Sequence, residues 1–189
     1  EITYHLKDSD AVAYFCFEGT DALPMGQEGI AGFEEVDACK LMWMITADPA
    51  AESPYEGIQT LGQMMSAQPQ LFETVSVSPL DTAVILYTSG TTGSPKGAEL
   101  SHSNIFMNAT VLGDLFGILH DDIHALALPL FHSFGQTVQM NTGFLKGNTL
   151  VLVPRFSPQA ILSAIQEENV SIFAGVPTMY WQLLTYEDE

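Results

Sequence analysis

The residues of this sequence best suited to chemistry lie together at positions 87–97, which read Tyr-Thr-Ser-Gly-Thr-Thr-Gly-Ser-Pro-Lys-Gly. We call them the Gly/Thr-rich segment. Its glycines lack a Cβ and permit positive φ, so successive backbone N–H groups can converge on one anion. Its hydroxyl groups add hydrogen-bond donors, and Lys96 adds a positive charge whose position Pro95 restricts. This combination predicts a polyphosphate-binding loop and argues against an ordinary flexible surface turn.

The spacing within the segment excludes two common phosphate-binding motifs. A Walker A loop requires Gly-x-x-x-x-Gly-Lys followed by Ser or Thr, whereas here two residues separate Gly93 from Lys96, and Gly97 follows the lysine. The dinucleotide-binding pattern Gly-x-Gly-x-x-Gly also fails, because its first glycine is missing before Gly90 and Gly93. The segment therefore indicates neither a P-loop NTPase nor a Rossmann dehydrogenase.

Strands and helices must position these residues, and the sequence predicts an alternation of the two. Apolar runs of strand length lie at residues 11–17, 41–46, 82–87, 124–128, 149–153 and 171–174. Residues 103–119 repeat apolar side chains mostly three and four apart, as on one face of a helix. Ser157 followed by Pro158, and later Pro177, mark the starts of two further helices, while residues 47–55 and 67–79 are expected to be loops. The pattern predicts an α/β layered fold with largely parallel sheets and flanking helices.

A second chemical candidate is His132, which lies between Phe131 and Ser133 just after the apolar residues 128–130. We expect it to end a strand, at the edge where parallel sheets bind ligands. A hydrogen-bonded histidine of the core is the alternative.

The Gly/Thr-rich segment, continuing into Ala-Glu-Leu-Ser-His-Ser-Asn at 98–104, resembles without gaps the signature loop of the adenylate-forming enzymes. That superfamily contains acyl-CoA synthetases, adenylation domains of peptide synthetases and beetle luciferases. Residues 127–135 (Ala-Leu-Pro-Leu-Phe-His-Ser-Phe-Gly) and 173–180 (Phe-Ala-Gly-Val-Pro-Thr-Met-Tyr) resemble later motifs of the same enzymes, and residues 1–17 an earlier helix and strand. The resemblance covers essentially all 189 residues and is strongest to fatty-acid or long-chain acyl-CoA ligases.

The resemblance implies roles for the matched positions. The phosphates of ATP would be held by Thr88, Ser89, Gly90, Thr91, Thr92, Gly93 and Lys96. Thr88 would help to place Mg²⁺, and Lys96 and His132 would be catalytic residues. The acyl and coenzyme A pocket would include Phe131, His132, Gly175 and Val176. Gly175 could equally serve only the backbone of a strand-to-helix turn.

The region around His132 favours a plain carboxylic acid as substrate. Amino-acid-activating members carry an aspartate near this position to pair with the substrate's ammonium group. Here residues 125–149 contain no acidic side chain, and a buried ammonium group without a partner would pay its full desolvation cost.

Composition limits the classes of binding partner and the cellular compartments that we expect for this protein. The chain has 23 acidic and 5 basic side chains and a formal net charge of −18, which argues against a nucleic-acid partner. Cys16 and Cys39 form no metal or redox motif, so a reducing cytoplasm is expected. No apolar stretch approaches the ~18 residues that a membrane-spanning helix needs.

We expect residues 1–189 to be the central part of one large N-terminal AMP-binding domain, incomplete at both ends and lacking the small C-terminal domain. The full-length protein would use ATP, Mg²⁺ and coenzyme A to convert a carboxylic, most simply a fatty, acid into its acyl-adenylate and then its acyl-CoA. The chain alone would hold nucleotide without turnover, because the adenine-binding motif, ribose-binding aspartate and C-terminal lysine of the family are not in this sequence. Exposed surfaces would favour its self-association. An amino-acid adenylation domain or a luciferase-like enzyme is the alternative.

Overall fold

The computed structural model describes residues 1–89 and 93–187. The chain divides into two compact units, Glu1–Ser76 and Val77–Glu189. Of the three sheets in the described residues, two are entirely parallel, and helices flank them. The predicted α/β fold with largely parallel sheets is therefore confirmed.

The first unit is built on a sheet with strand order β1-β2-β3. Its elements are α1 (Ile2–Asp8), β1 (Ala13–Phe17), α2 (Met25–Glu34), β2 (Leu41–Ile45), β3 (Gln59–Thr60) and α3 (Leu61–Ser66). A small core of Leu6, Val36 and Cys39 joins α1 to the segment after α2. Cys16 and Cys39 are buried free thiols. The two predicted strands are present with a helix, α2, between them, but the sequence-based expectation set no bounds for α2 or α3.

The second unit contains the Gly/Thr-rich segment and the remaining motifs. Its elements are β4 (Thr82–Thr88), β5 (Lys96–Ser101), α4 (His102–Leu115), β6 (Ile123–Leu126), a π-helix (Phe134–Asn141), α5 (Thr142–Lys146), β7 (Thr149–Leu152), α6 (Pro158–Glu167), β8 (Ile172–Phe173) and α7 (Pro177–Leu184). The strands β7, β6 and β8 form a parallel sheet in that order. Ser157 caps α6 as predicted, because its hydroxyl accepts a hydrogen bond from the backbone N–H of Ala160 at 3.1 Å.

The helix α4 is shorter than its predicted span of 103–119. Gly117 adopts a left-handed φ of +62° directly after the helix. Its N–H donates to the carbonyl of Asp114 at 3.2 Å, and that of Ile118 donates to the carbonyl of Gly113 at 2.8 Å. This pair of bonds is the Schellman motif, which ends helices at glycine. Apolar spacing alone therefore overstated the length of α4.

The π-helix is the element least expected from the sequence. It begins against the turn at Pro129, where a Cβ on Gly135 would clash with the carbonyl oxygen of Pro129. Thr137, Gln139 and Thr142 are buried along it and just after it. π-helices are rare and occur frequently at functional sites. A ligand-binding site is therefore expected beside this element.

Among the described residues, no helix has both the length and the apolar character needed to cross a bilayer.

Candidate active site

The two strands that flank the Gly/Thr-rich segment, β4 and β5, form an antiparallel pair, unlike the parallel sheets elsewhere in the described residues. β4 and β5 pair so that Tyr87 faces Gly97 and Thr88 faces Lys96. β4 ends at Thr88, and Lys96 is the first residue of β5. Directly opposed residues on antiparallel strands have Cβ atoms about 4.5–5.5 Å apart on the same face. The side chains of Thr88 and Lys96, both exposed, therefore begin close together on one face, next to the Gly/Thr-rich residues.

The structure explains why two positions of this hairpin are glycine. Gly93 has φ +132°, a conformation that side-chain-bearing residues rarely adopt. A Cβ on Gly97 would lie 2.8 Å from Cγ2 of Ile85 and 3.1 Å from the ring of Tyr87. The absence of a side chain at position 97 thus lets Tyr87 lie across the hairpin. The predicted phosphate ligands Gly90, Thr91 and Thr92 lie outside the described residues.

Hydrogen bonds anchor the hairpin to α4. The hydroxyl of Ser101 accepts from the backbone N–H of Asn104 at 3.2 Å, and Oδ1 of Asn104 accepts from the N–H of Ser101 at 3.0 Å. This capping box satisfies two free donors at the start of the helix. Farther along the strands, the Thr82 hydroxyl donates to Glu99 at 3.0 Å. The strands β4 and β5 are therefore fixed to α4 at the end opposite Thr88 and Lys96.

His132 lies in the turn before the π-helix rather than at the end of a strand. β6 ends at Leu126. The chain then forms a turn, in which the N–H of His132 donates to the carbonyl of Pro129 at 3.1 Å. Its imidazole is exposed, and Nδ1 accepts from the N–H of Phe134 at 3.2 Å. The neutral ring then carries its proton on Nε2, which is a donor for an anionic ligand. The core-histidine alternative does not describe this exposed side chain.

Gly175 lines a cavity of about 450 Å³ in the second unit. Aromatic rings form much of its wall, from Phe116, Phe134, Phe173 and Tyr180. The Tyr180 hydroxyl donates to the carbonyl of Phe173 at 2.9 Å and accepts from the N–H of Gly175 at 3.2 Å. This bonding fixes the strand-to-helix turn before α7, whose N-terminal cap is Val176.

Phe131 does not line that cavity. Its side chain is 83% exposed and borders a separate cleft formed with residues 126–130 and with Leu152, Val153 and Pro154. The structure therefore brings Thr88 together with Lys96, and Gly175 together with the π-helix residue Phe134. It does not bring Phe131 and Gly175 into one cavity, and the pocket that would contain both stays a prediction.

Two buried polar residues at the cavity were not singled out from the sequence. His124 and Gln139 both line it and both have 0% exposed surface. Burial lowers the pKa of His124, against smaller opposing effects of its hydrogen bond to Asn148 and of the charge on Asp122. In the sequence, His124 can be recognised as a histidine within an apolar strand. Its placement at the same cavity as Gln139 cannot, because that placement depends on the π-helix.

The family of the chain is decided by comparison with known proteins. All of residues 1–189 match the model of the family described as AMP-binding enzyme. The chain belongs to the AMP-binding enzyme family.

Relatives of this AMP-binding chain include several CoA ligases. It is 40% identical over 100 residues to the feruloyl-CoA synthase of an Amycolatopsis species, an alignment that covers 53% of this chain and 20% of that protein. It is 36% identical over 110 residues to a long-chain-fatty-acid–CoA ligase of Bacillus subtilis, covering 57% of this chain and 20% of that protein. The crystal structure of ATP-bound MatB from Rhodopseudomonas palustris superposes with a TM-score of 0.80 at 28% identity, covering 98% of this chain and 34% of that one.

The aligned part is thus about a fifth of the length of these curated relatives. Within the part of the chain that the structure describes, no group of three or more His, Cys, Asp and Glu side chains is arranged to hold a metal ion.

Proposed function

We propose that the complete protein activates a carboxylic acid with ATP to an acyl-adenylate and transfers the acyl group to coenzyme A. The observation that carries the proposal is the hairpin of β4 and β5, whose register sets Lys96 opposite Thr88 at the mouth of the Gly/Thr-rich segment. The family match over residues 1–189 and the CoA-ligase relatives support the proposal. Long-chain fatty acids are one substrate class among those relatives, and we propose a fatty or related acid without an ammonium group.

The described residues of the hairpin fit a polyphosphate. Thr88, Ser89 and Ser94 offer hydroxyl donors, and Lys96 offers a charge in an otherwise strongly acidic chain. No atom of the described residues lies within 4 Å of the position that a Cβ on Gly93 would take, which supports an open approach of an anion to the backbone there. We propose that these residues hold the β- and γ-phosphates together with Gly90, Thr91 and Thr92. Mg²⁺, which we propose contacts Thr88, would neutralise phosphate charge when bound.

His132 is proposed to act on the acid and on coenzyme A. Its exposed ring has Nδ1 occupied by the N–H of Phe134, which leaves Nε2–H to orient a carboxylate. The 125–149 region around it carries no acidic group, which supports a plain acid. Phe131, Gly175 and Val176 are proposed to contribute to the acyl and coenzyme A region.

We propose that residues 1–189 form the central part of a larger AMP-binding domain, that the isolated chain self-associates, and that the protein works in the reducing cytoplasm. Large apolar side chains such as Phe72 and Leu184, which are 84% and 82% exposed, support the second point. The buried thiols of Cys16 and Cys39 support the third.

Replacing Lys96 with alanine in the complete protein tests the phosphate-binding role. We expect Lys96→Ala to lower kcat/KM for ATP by roughly 10-fold or more, because a charge-assisted hydrogen bond to phosphate contributes about 1.5–3 kcal/mol. The measurement is acid-dependent ATP–pyrophosphate exchange over a range of ATP concentrations.

The exposed Lys40, on the first unit, provides the matched control, since Lys40→Ala makes the same change in charge. Lys40→Ala should retain exchange, and both variants should keep the wild-type melting temperature, because both side chains are exposed. Unchanged ATP dependence in Lys96→Ala would show that the lysine does not bind phosphate.

A further inference from the structure

The cavity beside the π-helix contains two hydrogen-bond acceptors that lack donors. In the described part of the chain, Nδ1 of His124 and Oε1 of Gln139 have no hydrogen-bond partner, and each exposes less than 1 Å² to solvent. Leaving a buried polar atom unpaired costs free energy. Unpaired acceptors beside a cavity therefore need a donor from outside the described residues.

The identity of each unpaired atom follows from the neighbouring bonds. Asn148 donates through Nδ2 to the carbonyl of Leu119, so its Oδ1 faces Nε2 of His124, at 3.2 Å. Nε2 must then carry the proton, and Nδ1 of the neutral ring is an acceptor. Gln139 donates through Nε2 to the carbonyl of Ala125 at 2.8 Å, which leaves its Oε1 as an acceptor.

The fold places both residues at one cavity. Ala125, which receives the amide of Gln139, directly follows His124 on β6. Both residues line the 450 Å³ cavity, together with Val138 and the ring of Phe134 from the same π-helix. Nearby hydroxyls are already engaged: Tyr180 donates to the carbonyl of Phe173 and Ser171 to the carboxylate of Asp122.

The walls of the cavity are otherwise apolar. The rings of Phe116, Phe134 and Phe173 and the side chains of Ile118 and Val138 surround the polar floor. A cavity of this volume is within the range that holds small organic ligands, and such sites combine apolar walls with few, well-placed polar groups.

We propose that this cavity binds the apolar body of the acid substrate and that His124 and Gln139 accept hydrogen bonds from a hydroxyl group at its far end. Because both acceptors are recessed, neighbouring side chains shift slightly when that group enters. The substrate class is therefore a hydroxy acid with an aryl or alkyl body, related to the fatty acids proposed above. The proposal rests on the proposed function, since it names the class of acid that the complete protein activates.

Matched pairs of acids test this specificity. The para-hydroxy and para-methyl phenylpropanoates differ by one donor at nearly constant size, and terminal hydroxy and methyl alkanoates form a second pair. We expect wild-type kcat/KM in acid-dependent pyrophosphate exchange to favour the hydroxy member of at least one pair by about 10-fold or more, because sites with buried polar groups reject analogues that leave them unpaired.

Three variants separate the hydrogen bonds from cavity size. Gln139→Met and His124→Leu remove one acceptor each at similar volume and should bring the hydroxy-to-methyl ratio towards one. Val138→Ala enlarges the same cavity without touching either acceptor and should preserve the ratio. Circular dichroism and melting temperature identify any variant that does not fold, and one folded acceptor variant is sufficient for the comparison.

The outcomes are distinguishable. Exchange without preference for the hydroxy acids, or a ratio that survives loss of either acceptor in a folded variant, overturns the cavity proposal and leaves the proposed function standing. Absence of exchange with every acid contradicts the proposed function instead. In that case, calorimetric titration with the hydroxy acids tests the cavity proposal separately. Binding to the wild type that is weaker in Gln139→Met supports the cavity proposal. Absence of binding, as expected if the cavity holds only water, overturns it.

Discussion

Seven residues separate Thr88 from Lys96 along the chain, yet the two are direct partners across the hairpin. The residue types predict phosphate chemistry, because hydroxyls, glycines and a lysine are the groups that bind phosphate. The pairing of these two residues depends on the register between β4 and β5. A shift of one residue would move Lys96 to the opposite face of the ribbon, so the site depends on the hairpin as much as on the lysine.

His124 combines complete burial with a titratable ring. Asp122, two residues earlier, is the charged group that acts on it, and the hydrogen bond to Asn148 lies on its other side. Hydrogen bonds from the N–H of Leu119 and the hydroxyl of Ser171 hold the pKa of Asp122 below its ordinary value. His124 is therefore the group of this cluster whose ordinary pKa lies nearest to neutral pH.

We expect the stability of the chain to fall as the pH is lowered below about 6.5. The pKa of His124 is lower in the folded state than the ordinary value of about 6.5, so the unfolded chain binds more protons in this range and acid favours unfolding. Stability is fully present above pH 6.5 and is lost as pH falls towards the folded-state pKa. Urea denaturation from pH 7.5 to 5 measures this dependence.

His124→Leu should reduce the slope of unfolding free energy against pH, whereas replacement of the exposed His120 by glutamine should not. An equal slope in wild type and His124→Leu would mean that other groups cause the acid sensitivity.

At the scale of elements, helix starts were the most predictable features. Ser157 and Pro158 start α6 and Pro177 starts α7, as their side chains predict. Thr60 and Gln63 form a capping box at α3, a local signal that was present in the sequence but not used. The hairpin and the π-helix were not predicted, because both require contacts between residues outside a single local pattern.

Removal of the α6 cap gives a test at this scale. We expect Ser157→Ala to lower the free energy of unfolding by about 1 kcal/mol, because the backbone N–H of Ala160 loses its acceptor. Ser133 provides the matched control, since it precedes the π-helix without a side-chain capping bond. Ser133→Ala should therefore have a smaller effect in urea denaturation. Equal losses in the two variants would contradict the assigned role of Ser157.

At the scale of the whole molecule, the chain has an extensive apolar surface. In the second unit, Phe106 and Leu115, which lie on the apolar face predicted for α4, are 55% and 72% exposed. Exposed apolar surfaces of this kind mark sites of association. This surface agrees with the proposal that further polypeptide completes the active site.

We expect the 189-residue chain alone to show no acid-dependent release of pyrophosphate, because positioning two anionic substrates requires more of the site than the hairpin provides. The measurement compares pyrophosphate release by the chain and by the complete protein at equal concentrations, with a folded Lys96→Ala complete protein as a low-activity reference. Robust acid-dependent release by the chain alone would show that residues 1–189 are sufficient for adenylation.

The sequence by itself indicated the family, which the comparison confirmed, together with the alternation of strands and helices and several helix starts. It also predicted phosphate binding at residues 87–97, which stays a prediction. These features depend on residue type and on spacing within a few positions. The tertiary structure decided that Lys96 faces Thr88, that His132 lies in a turn rather than at a strand end, and that His124 and Gln139 line one cavity. Strand pairing and helix packing bring distant residues together through non-local contacts, and no local pattern in the chain encodes which contacts form.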